Sequence, residues 1–182
     1  MRTRVDFCAE VENEMRMVLP SLSVNEGMAR SAVAAFCAQL NPTAVELADI
    51  KCAVSEAVTN CIVHAYANGG ENNRIIINCK IEKAPVYSPF SEMEGERRGI
   101  LHIEITDFGC GIDNVEQALT PFYTTLAGEE RSGMGFTIMQ TFMDGFSVES
   151  KKDAGTVVRM LRKIGAWDKE ERNADVRERV DA

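Results

Sequence analysis

The sequence predicts an α+β fold, a two-layer sandwich with helices on one face of a mixed, mostly antiparallel β-sheet. Helical and strand patterns are interspersed along the chain, yet a tight turn at residues 153–155, and not a helical crossover, joins the last two strand patterns. With 182 residues the chain is long enough for one domain with a sizeable core. We expect that domain over residues 13–163, after an N-terminal extension (1–12) and before a charged tail (164–182).

The first predicted elements are a strand and a helix. Residues 14–20 alternate weakly between polar and apolar side chains, as a strand does. Ser23 and Glu26 have the spacing of a capping box, which predicts a helix that runs to about Gln39. The predicted apolar side of this helix consists of Met28, Ala32, Ala35 and Phe36.

A second and longer helix is predicted to begin with Pro42 in its first turn, where proline is tolerated. Thr43 and Glu46 have the spacing of another capping box. The helical pattern runs to about Tyr66 and stops at the glycine-containing segment 68–70, which makes it the longest element, roughly 36 Å at 1.5 Å per residue.

The rest of the chain predicts two hairpins with two helices between them. Residues 74–81 and 100–106 are rich in β-branched side chains and predict strands, joined by a long loop over 83–99 that contains prolines and glycines. A short helix near 113–119 is followed by an irregular polar stretch over 120–132. The remaining predictions are a helix from Gly133 or Gly135 to about Met143, and a hairpin of strands 146–150 and 156–161.

Composition excludes several classes of protein. No stretch approaches the ~18 apolar residues of a membrane span, and the N-terminus lacks the apolar core of a signal peptide, so we expect a cytoplasmic chain. A net charge of −8 argues against direct nucleic-acid binding and favours a basic protein partner. The six cysteines form no Cys-x-x-Cys pair and are expected to be reduced core thiols.

The first polar motif lies on the second predicted helix. Glu56 and Asn60 are four residues apart, so their side chains are neighbours on one helical face, among mostly apolar residues. An amide oxygen suits Mg²⁺, and a glutamate beside the metal can accept a proton from an attacking hydroxyl. The plainer interpretation is an ordinary exposed helix face. His64, next in the same row, is expected to pack or hydrogen-bond near the helix end.

The second motif directly follows a predicted strand. Gly109 and Gly111, just after Asp107, let the backbone turn sharply and approach a flat ligand closely. The carboxylate can accept a hydrogen bond from an exocyclic amine such as that of adenine. The alternative is a plain strand-to-turn junction. The sequence contains no Walker-type Gly-x-x-x-x-Gly-Lys-Ser/Thr motif.

The third motif precedes a predicted helix. Gly133 and Gly135 leave the backbone at the helix N-terminus uncovered by side chains, so its amides can bind an anion. Arg131 adds a guanidinium suited to a γ-phosphate. The alternative is a helix start capped by Ser132. The stretch 120–132 is either a lid ordered by nucleotide or simply a loop.

The order of these motifs, with Gly155-Thr156 after them, resembles the Bergerat-type (GHKL) ATP-binding fold of gyrase, heat-shock chaperones, histidine kinases and mismatch-repair ATPases. The segments 41–43, 54–60 and 130–139 closely resemble the anti-sigma F factors of spore-forming bacteria, a family of serine-protein kinases. The likeness covers about residues 13–162, and the 83–99 loop and both chain ends depart from it.

The resemblance implies a cofactor pair, ATP and Mg²⁺, and a role for each motif residue. Glu56 matches the catalytic base and Asn60 the Mg²⁺ ligand. Asp107 matches the adenine-reading carboxylate, with Gly111 and Thr156 near the base of the nucleotide. The residues that match the phosphate lid are Arg131, Ser132, Gly133 and Gly135.

The resemblance also implies partners. A homodimer would bind sigma factor F in an ATP-favoured state, keep it from RNA polymerase, and phosphorylate a serine of a small anti-anti-sigma protein. Arg30, by composition a surface charge, matches an arginine that contacts partners. Three alternatives remain open: a nucleotide-switched sigma-binding module without turnover, the related general-stress anti-sigma kinase, and a histidine kinase catalytic domain. Against the histidine kinase interpretation, this sequence shows no helix pair with a phosphoacceptor histidine before the motifs.

Overall fold

The computed structural model describes residues 11–66, 73–83, 99–122 and 133–165. Its elements follow the order that the sequence predicts. The strands are β1 (Val11–Pro20), β2 (Arg74–Lys83), β3 (Gly99–Asp107), β4 (Gly145–Lys151) and β5 (Gly155–Ile164). The helices are α1 (Val24–Cys37), α2 (Ala44–Asn60), α3 (Val115–Ala118) and α4 (Gly135–Phe142), with a 3₁₀ turn (Ala38–Leu40) after α1 and a π-helical turn (Cys61–Ala65) after α2.

In the described part of the chain, five strands form one sheet in the order β1-β2-β3-β5-β4, and every neighbouring pair is antiparallel. The predicted α+β sandwich with a mostly antiparallel sheet is therefore confirmed. β3 is the central strand, and Asp107 at its end lies opposite Ile75 of β2 and Thr156 of β5. The second motif thus begins at the end of the most enclosed strand.

The core lies between the sheet and the helices α1, α2 and α4. Because side chains alternate along a strand, Leu101, Ile105 and Asp107 of β3 share the face that the helices cover, and all three are buried. The opposite face carries cross-strand ion pairs, for example Arg159 Nε to Glu104 Oε2 at 2.9 Å. One face of the sheet is thus apolar and the other charged, as a two-layer fold requires.

The capping box predicted for α1 is wrong. Ser23 has helical torsion angles (φ −54°, ψ −33°), and its side chain makes no capping hydrogen bond. The Glu26 carboxylate accepts hydrogen bonds from the Arg30 guanidinium (3.1 Å) and from the Ser55 hydroxyl of α2 instead. The Glu26 carboxylate, which the spacing assigns to the N-terminus of α1, thus bonds to Arg30 and Ser55 and not to the Ser23 backbone.

The apolar face predicted for α1 is also rotated from the observed one. Met28 is 56% exposed, and Ala35 is exposed as well. Only Phe36 of the predicted set is fully buried, while Ala32 is half-buried. The buried residues of α1 are Ala29, Val33, Ala34, Phe36 and Cys37.

Helix α2 begins and extends as predicted. Thr43 Oγ1 accepts from the Glu46 N–H at 3.2 Å, and the Glu46 carboxylate accepts from the Thr43 N–H at 2.8 Å, so the capping box is confirmed. The helix continues past Asn60 into the π-helical turn, which ends next to Tyr66. A π-helical turn within a helix is uncommon and occurs often at functional sites.

One arginine connects three elements at the far end of α4. Arg162 of β5 donates to the backbone carbonyl of Phe142, the last residue of α4, at 2.7 Å. The same guanidinium forms an ion pair with Asp49 of α2, Nη2 to Oδ2 at 3.0 Å. This end of α4 is therefore fixed to both the sheet and α2.

Several predictions fall on residues that the structure does not describe. They concern the N-terminal extension up to residue 10, the segment 68–70 at which the second helix is predicted to stop, residues 84–98 of the long loop, residues 123–132, and the tail from residue 166. Within the described residues, no helix is long and apolar enough to cross a membrane. Cys37, Cys61 and Cys79 are buried free thiols, as expected, whereas Cys110 is exposed.

Candidate active site

Glu56 and Asn60 lie on adjacent turns of α2, on the side that meets α4. Both side chains are half-buried. Among the described residues, neither the Glu56 carboxylate nor the Asn60 amide has a side-chain hydrogen bond with another residue. Burial raises the pKa of Glu56 above its usual value. A partly desolvated carboxylate with a raised pKa is a stronger proton acceptor than one in water.

Gly135 joins the third motif to the first. A Cβ added at this position would lie 3.0 Å from Glu56 Oε2 and 3.4 Å from Asn60 Nδ2. The backbone of α4 therefore fits beside these two side chains only because position 135 has no side chain of its own. Two motifs that are 75 residues apart in the sequence, from Asn60 to Gly135, thus lie in direct contact.

The N-terminus of α4 has no side-chain cap from its N-cap residue, Met134. The first amides of a helix lack partners within the helix, so they can donate to a phosphate. Gly133 just before has a φ of +63°, a conformation that favours glycine. Its carbonyl accepts from the Phe122 N–H at 3.1 Å, which brings the two ends of the intervening segment together.

Asp107 is 4% exposed and lies at the open end of β3. Burial raises the pKa of this carboxyl group, and hydrogen bonds from the Gly109 N–H, the Cys61 thiol and the Thr156 N–H oppose that rise. The Gly109 N–H donates to Asp107 Oδ1 at 2.9 Å. The carboxylate is therefore held in one orientation by groups from three different elements.

Both glycines of the second motif allow close backbone contacts. A Cβ at Gly109 would lie 2.1 Å from the Ala65 carbonyl oxygen, and one at Gly111 would lie 2.1 Å from the Lys151 carbonyl oxygen. Gly111 also has a φ of +69°. The turn after Asp107 is thus packed between the end of the π-helical turn and the end of β4, which leaves no space for a side chain at either glycine.

Thr156 is buried beside Asp107 and contacts a serine that the sequence analysis did not single out. Thr156 Oγ1 and Ser150 Oγ are 2.9 Å apart. Ser150 Oγ also accepts from the Ile112 N–H at 2.8 Å, so this serine connects the second motif to the β4–β5 hairpin. Ser150 faces Thr156 across the strand pair. A polar residue at that core-facing position of the strand was the sequence feature that could have identified it.

The second residue that the sequence analysis missed is Tyr66. Its hydroxyl donates to the Arg74 carbonyl at 2.6 Å and accepts from the Phe108 N–H at 2.8 Å. Nothing in its local sequence distinguishes it from an ordinary apolar residue at a helix end. His64, expected to pack near this end, accepts from the Cys110 thiol at 3.1 Å through its backbone carbonyl.

Three predicted site residues remain. Arg131 and Ser132 are outside the described residues. Arg30 is on the exposed side of α1 and forms an ion pair with Glu26 at 3.1 Å. Since Glu26 also accepts from Ser55, the residue before Glu56, Arg30 is linked to α2 through one carboxylate.

The Asn60 amide suits a metal ion that takes its other ligands from a bound nucleotide and water. The described residues contain no group of three or more His, Cys, Asp or Glu side chains arranged to bind a metal ion. Mg²⁺ commonly takes one or two protein oxygens and completes its shell with water and phosphate oxygens. The Asn60 amide next to the N-terminus of α4 fits that mode of binding.

Comparison with known proteins gives consistent matches. Residues 19–162 match the family model of the histidine kinase-like ATPase domain. An anti-sigma F factor of Thermoanaerobacter sp. (strain X514) is 48% identical over 157 residues, which cover 86% of this chain and 98% of that protein. One from Clostridium botulinum (strain Alaska E43 / Type E3) is 49% identical over 153 residues, 84% of this chain and 96% of that protein. One from Bacillus licheniformis is 44% identical over 154 residues, 85% of this chain and 94% of that protein.

Proposed function

This chain belongs to the anti-sigma F factors, within the histidine kinase-like ATPases, and we propose from this that it is an ATP-dependent serine kinase that sequesters a sigma factor. The proposed substrate is a serine of a small anti-anti-sigma protein, and the proposed sequestered partner is sigma factor F. The proposed kinase domain is residues 13–163, with residues 1–12 and 164–182 outside it. We expect the chain to act in the cytoplasm as a homodimer, with Arg30 at the partner surface.

One contact carries the kinase proposal, the approach of Gly135 to Glu56 and Asn60. A phosphate bound by the first amides of α4 would lie beside a carboxylate and an amide oxygen. Asp107 and Thr156, at the end of β3 and the start of β5, form the other end of the same site and suit the base of a nucleotide. This arrangement offers a place for each part of ATP.

The chemistry then follows from the residues. The Glu56 carboxylate takes the proton of the attacking serine hydroxyl as the bond from its oxygen to the γ-phosphorus forms. The bond from that phosphorus to the bridging oxygen breaks, and ADP leaves with the electron pair. Asn60 would hold Mg²⁺, which when bound offsets charge on the phosphate oxygens. Gly133, Gly135 and the α4 amides orient the phosphates, and Arg131 and Ser132 are proposed to complete the lid over them.

The test is phosphotransfer from γ-labelled ATP to the host's anti-anti-sigma protein. Glu56→Gln keeps the size and polarity of the side chain but removes the base, so the rate should fall about 10²- to 10⁴-fold. Nucleotide affinity should remain within a few-fold of that of the unmodified chain. The control is Glu116→Gln, the same change at an exposed position of α3, which should leave the rate unaltered.

Two outcomes would contradict the proposal. Equal rates in Glu56→Gln and the unmodified chain would remove Glu56 from the mechanism. Nucleotide binding without any serine labelling in either protein would leave a nucleotide-switched sigma-binding module.

A further inference from the structure

Three successive backbone amides follow Asp107, and each donates to a different acceptor. The Phe108 N–H donates to the Tyr66 hydroxyl at 2.8 Å, and the Gly109 N–H donates to Asp107 Oδ1 at 2.9 Å. The Cys110 N–H donates to the Ala65 carbonyl at 2.9 Å. Two of the three acceptors therefore come from the end of the helix that carries Glu56 and Asn60.

The Tyr66 hydroxyl also connects the turn to the sheet. It donates to the Arg74 carbonyl at 2.6 Å, at the first residue of β2. Ile75 is the register partner of Asp107, so Arg74 and Phe108 are the next residues beyond the last pair of the β2–β3 ladder. The hydroxyl thus bridges the two strands at the point where their own pairing ends.

The hydroxyl remains protonated at neutral pH. Burial raises the pKa of Tyr66, although the hydrogen bonds with Phe108 and Arg74 oppose that rise. A protonated phenol has one donor and accepting lone pairs, so it can serve both the carbonyl and the amide at once. No other described side chain bonds to the Phe108 amide.

We propose that Tyr66 is a positioning residue for adenine recognition, because its hydroxyl holds the turn whose Gly109 N–H orients the Asp107 carboxylate. This inference rests on the proposed function, in which Asp107 accepts from the exocyclic amine of adenine. Tyr66 acts through the backbone of Phe108 and Gly109 and not on the nucleotide.

Removal of the hydroxyl has a selective consequence. In Tyr66→Phe the hydrogen bonds of the phenol with the Phe108 N–H and the Arg74 carbonyl are lost, so the turn is free to shift, and the Gly109 N–H that orients the Asp107 carboxylate shifts with it. A nucleotide that carries the amine depends on that position, whereas one without the amine does not. The loss should therefore be confined to ligands that have the amine.

The experiment measures dissociation constants for ADP and for purine riboside diphosphate, which lacks the exocyclic amine. The full chain, Tyr66→Phe and Ser31→Ala are compared. Ser31 is exposed on α1 and its hydroxyl bonds only to the Gly27 carbonyl of the same helix, so its loss controls for the removal of a hydroxyl. We expect Tyr66→Phe to weaken ADP binding about 3- to 10-fold, to leave the analogue unchanged, and Ser31→Ala to alter neither.

The ratio of the two constants within one protein is the deciding quantity, because a partly unfolded fraction lowers both apparent affinities by the same factor. An equal loss for both ligands, or no loss for either, would overturn the role of Tyr66. A wild-type chain that binds both ligands equally would overturn the adenine role of Asp107 as well. A wild-type chain that binds neither would overturn the proposed function itself.

A second measurement needs no variant. ADP should slow hydrogen exchange of the Phe108 amide in the wild-type chain more than the analogue does, when both are at saturation. Equal protection by the two ligands would show that the turn does not respond to the amine and would contradict the proposal.

Discussion

At the scale of single residues, Gly135 best shows how the site depends on the absence of a side chain. Gly135 is the first residue of α4, and alanine would favour the helix there. A Cβ would nevertheless lie 3.0 Å from Glu56 Oε2, closer than such atoms ordinarily approach. The Glu56 carboxylate would have to move by a few tenths of an ångström. We therefore expect a side chain at position 135 to lower the rate of phosphotransfer and not the free energy of unfolding.

The first prediction is that Gly135→Ala slows phosphotransfer about 10- to 100-fold without lowering the free energy of unfolding. The matched control is Gly27→Ala on α1, where the nearest atom to a new Cβ is Arg30 Nη2 at 4.0 Å. Rates from labelled ATP and urea denaturation curves would be measured for both. A Gly135→Ala protein as active as Gly27→Ala would mean that the contact with Glu56 is unimportant.

At the scale of elements, the two capping boxes show what local sequence can and cannot decide. Thr43 and Glu46 bond as their spacing predicts, and among the described residues no ion pair competes for the Glu46 carboxylate. Glu26 has the same spacing from Ser23, yet Arg30 and Ser55 take its carboxylate. The competing groups come from the helix interior and from another helix, and a local pattern contains no information about the latter.

The second prediction compares these two helix starts. Thr43→Ala removes an observed cap and should cost about 1 kcal/mol in the free energy of unfolding, whereas Ser23→Ala removes none and should cost about 0.3 kcal/mol or less. Urea denaturation of both variants beside the wild type measures the difference. Equal losses would show that the observed capping geometry does not contribute to stability.

The strands and helices themselves were predictable because their patterns are local. β-branched residues in 74–81 and the tight turn before Gly155 identify strands without reference to the rest of the chain. The π-helical turn (Cys61–Ala65) was not predictable, since its sequence is an ordinary apolar helical run. The carbonyls of His64 and Ala65 in this turn accept hydrogen bonds from the Cys110 thiol and N–H, and such tertiary contacts are absent from the local pattern.

At the scale of the whole molecule, the site forms where elements distant in sequence meet. Contact between α4 and α2 is fixed at one end by Arg162 with Asp49 and at the other by Gly135 against Glu56. The sequence indicated which residues to propose for the chemistry, because carboxylates and glycines in apolar surroundings are conspicuous. It did not indicate Tyr66 or the Gly135 contact, which depend on how the layers pack.

The third prediction concerns stability against pH. Burial raises the pKa of Glu56 in the folded chain above its ordinary value of about 4.5. Its contribution to stability is therefore present below that unfolded pKa and is lost as pH rises through the folded pKa. At neutral pH, Glu56→Gln should therefore be more stable than the wild type in the absence of nucleotide. The difference in the free energy of unfolding between Glu56→Gln and the wild type should shrink toward about pH 4. Urea denaturation at both pH values checks this, and a variant less stable at neutral pH would contradict it.

The central claim is that the three motifs form one ATP site, with Asn60 at its metal-binding end. Calorimetric titration of ATP, with and without Mg²⁺, into the wild type and Asn60→Ala tests it most directly. The account predicts that Mg²⁺ strengthens ATP binding to the wild type and that this effect is largely lost in Asn60→Ala. A wild-type chain that does not bind ATP, or an Asn60→Ala protein with the full Mg²⁺ effect, would contradict the account.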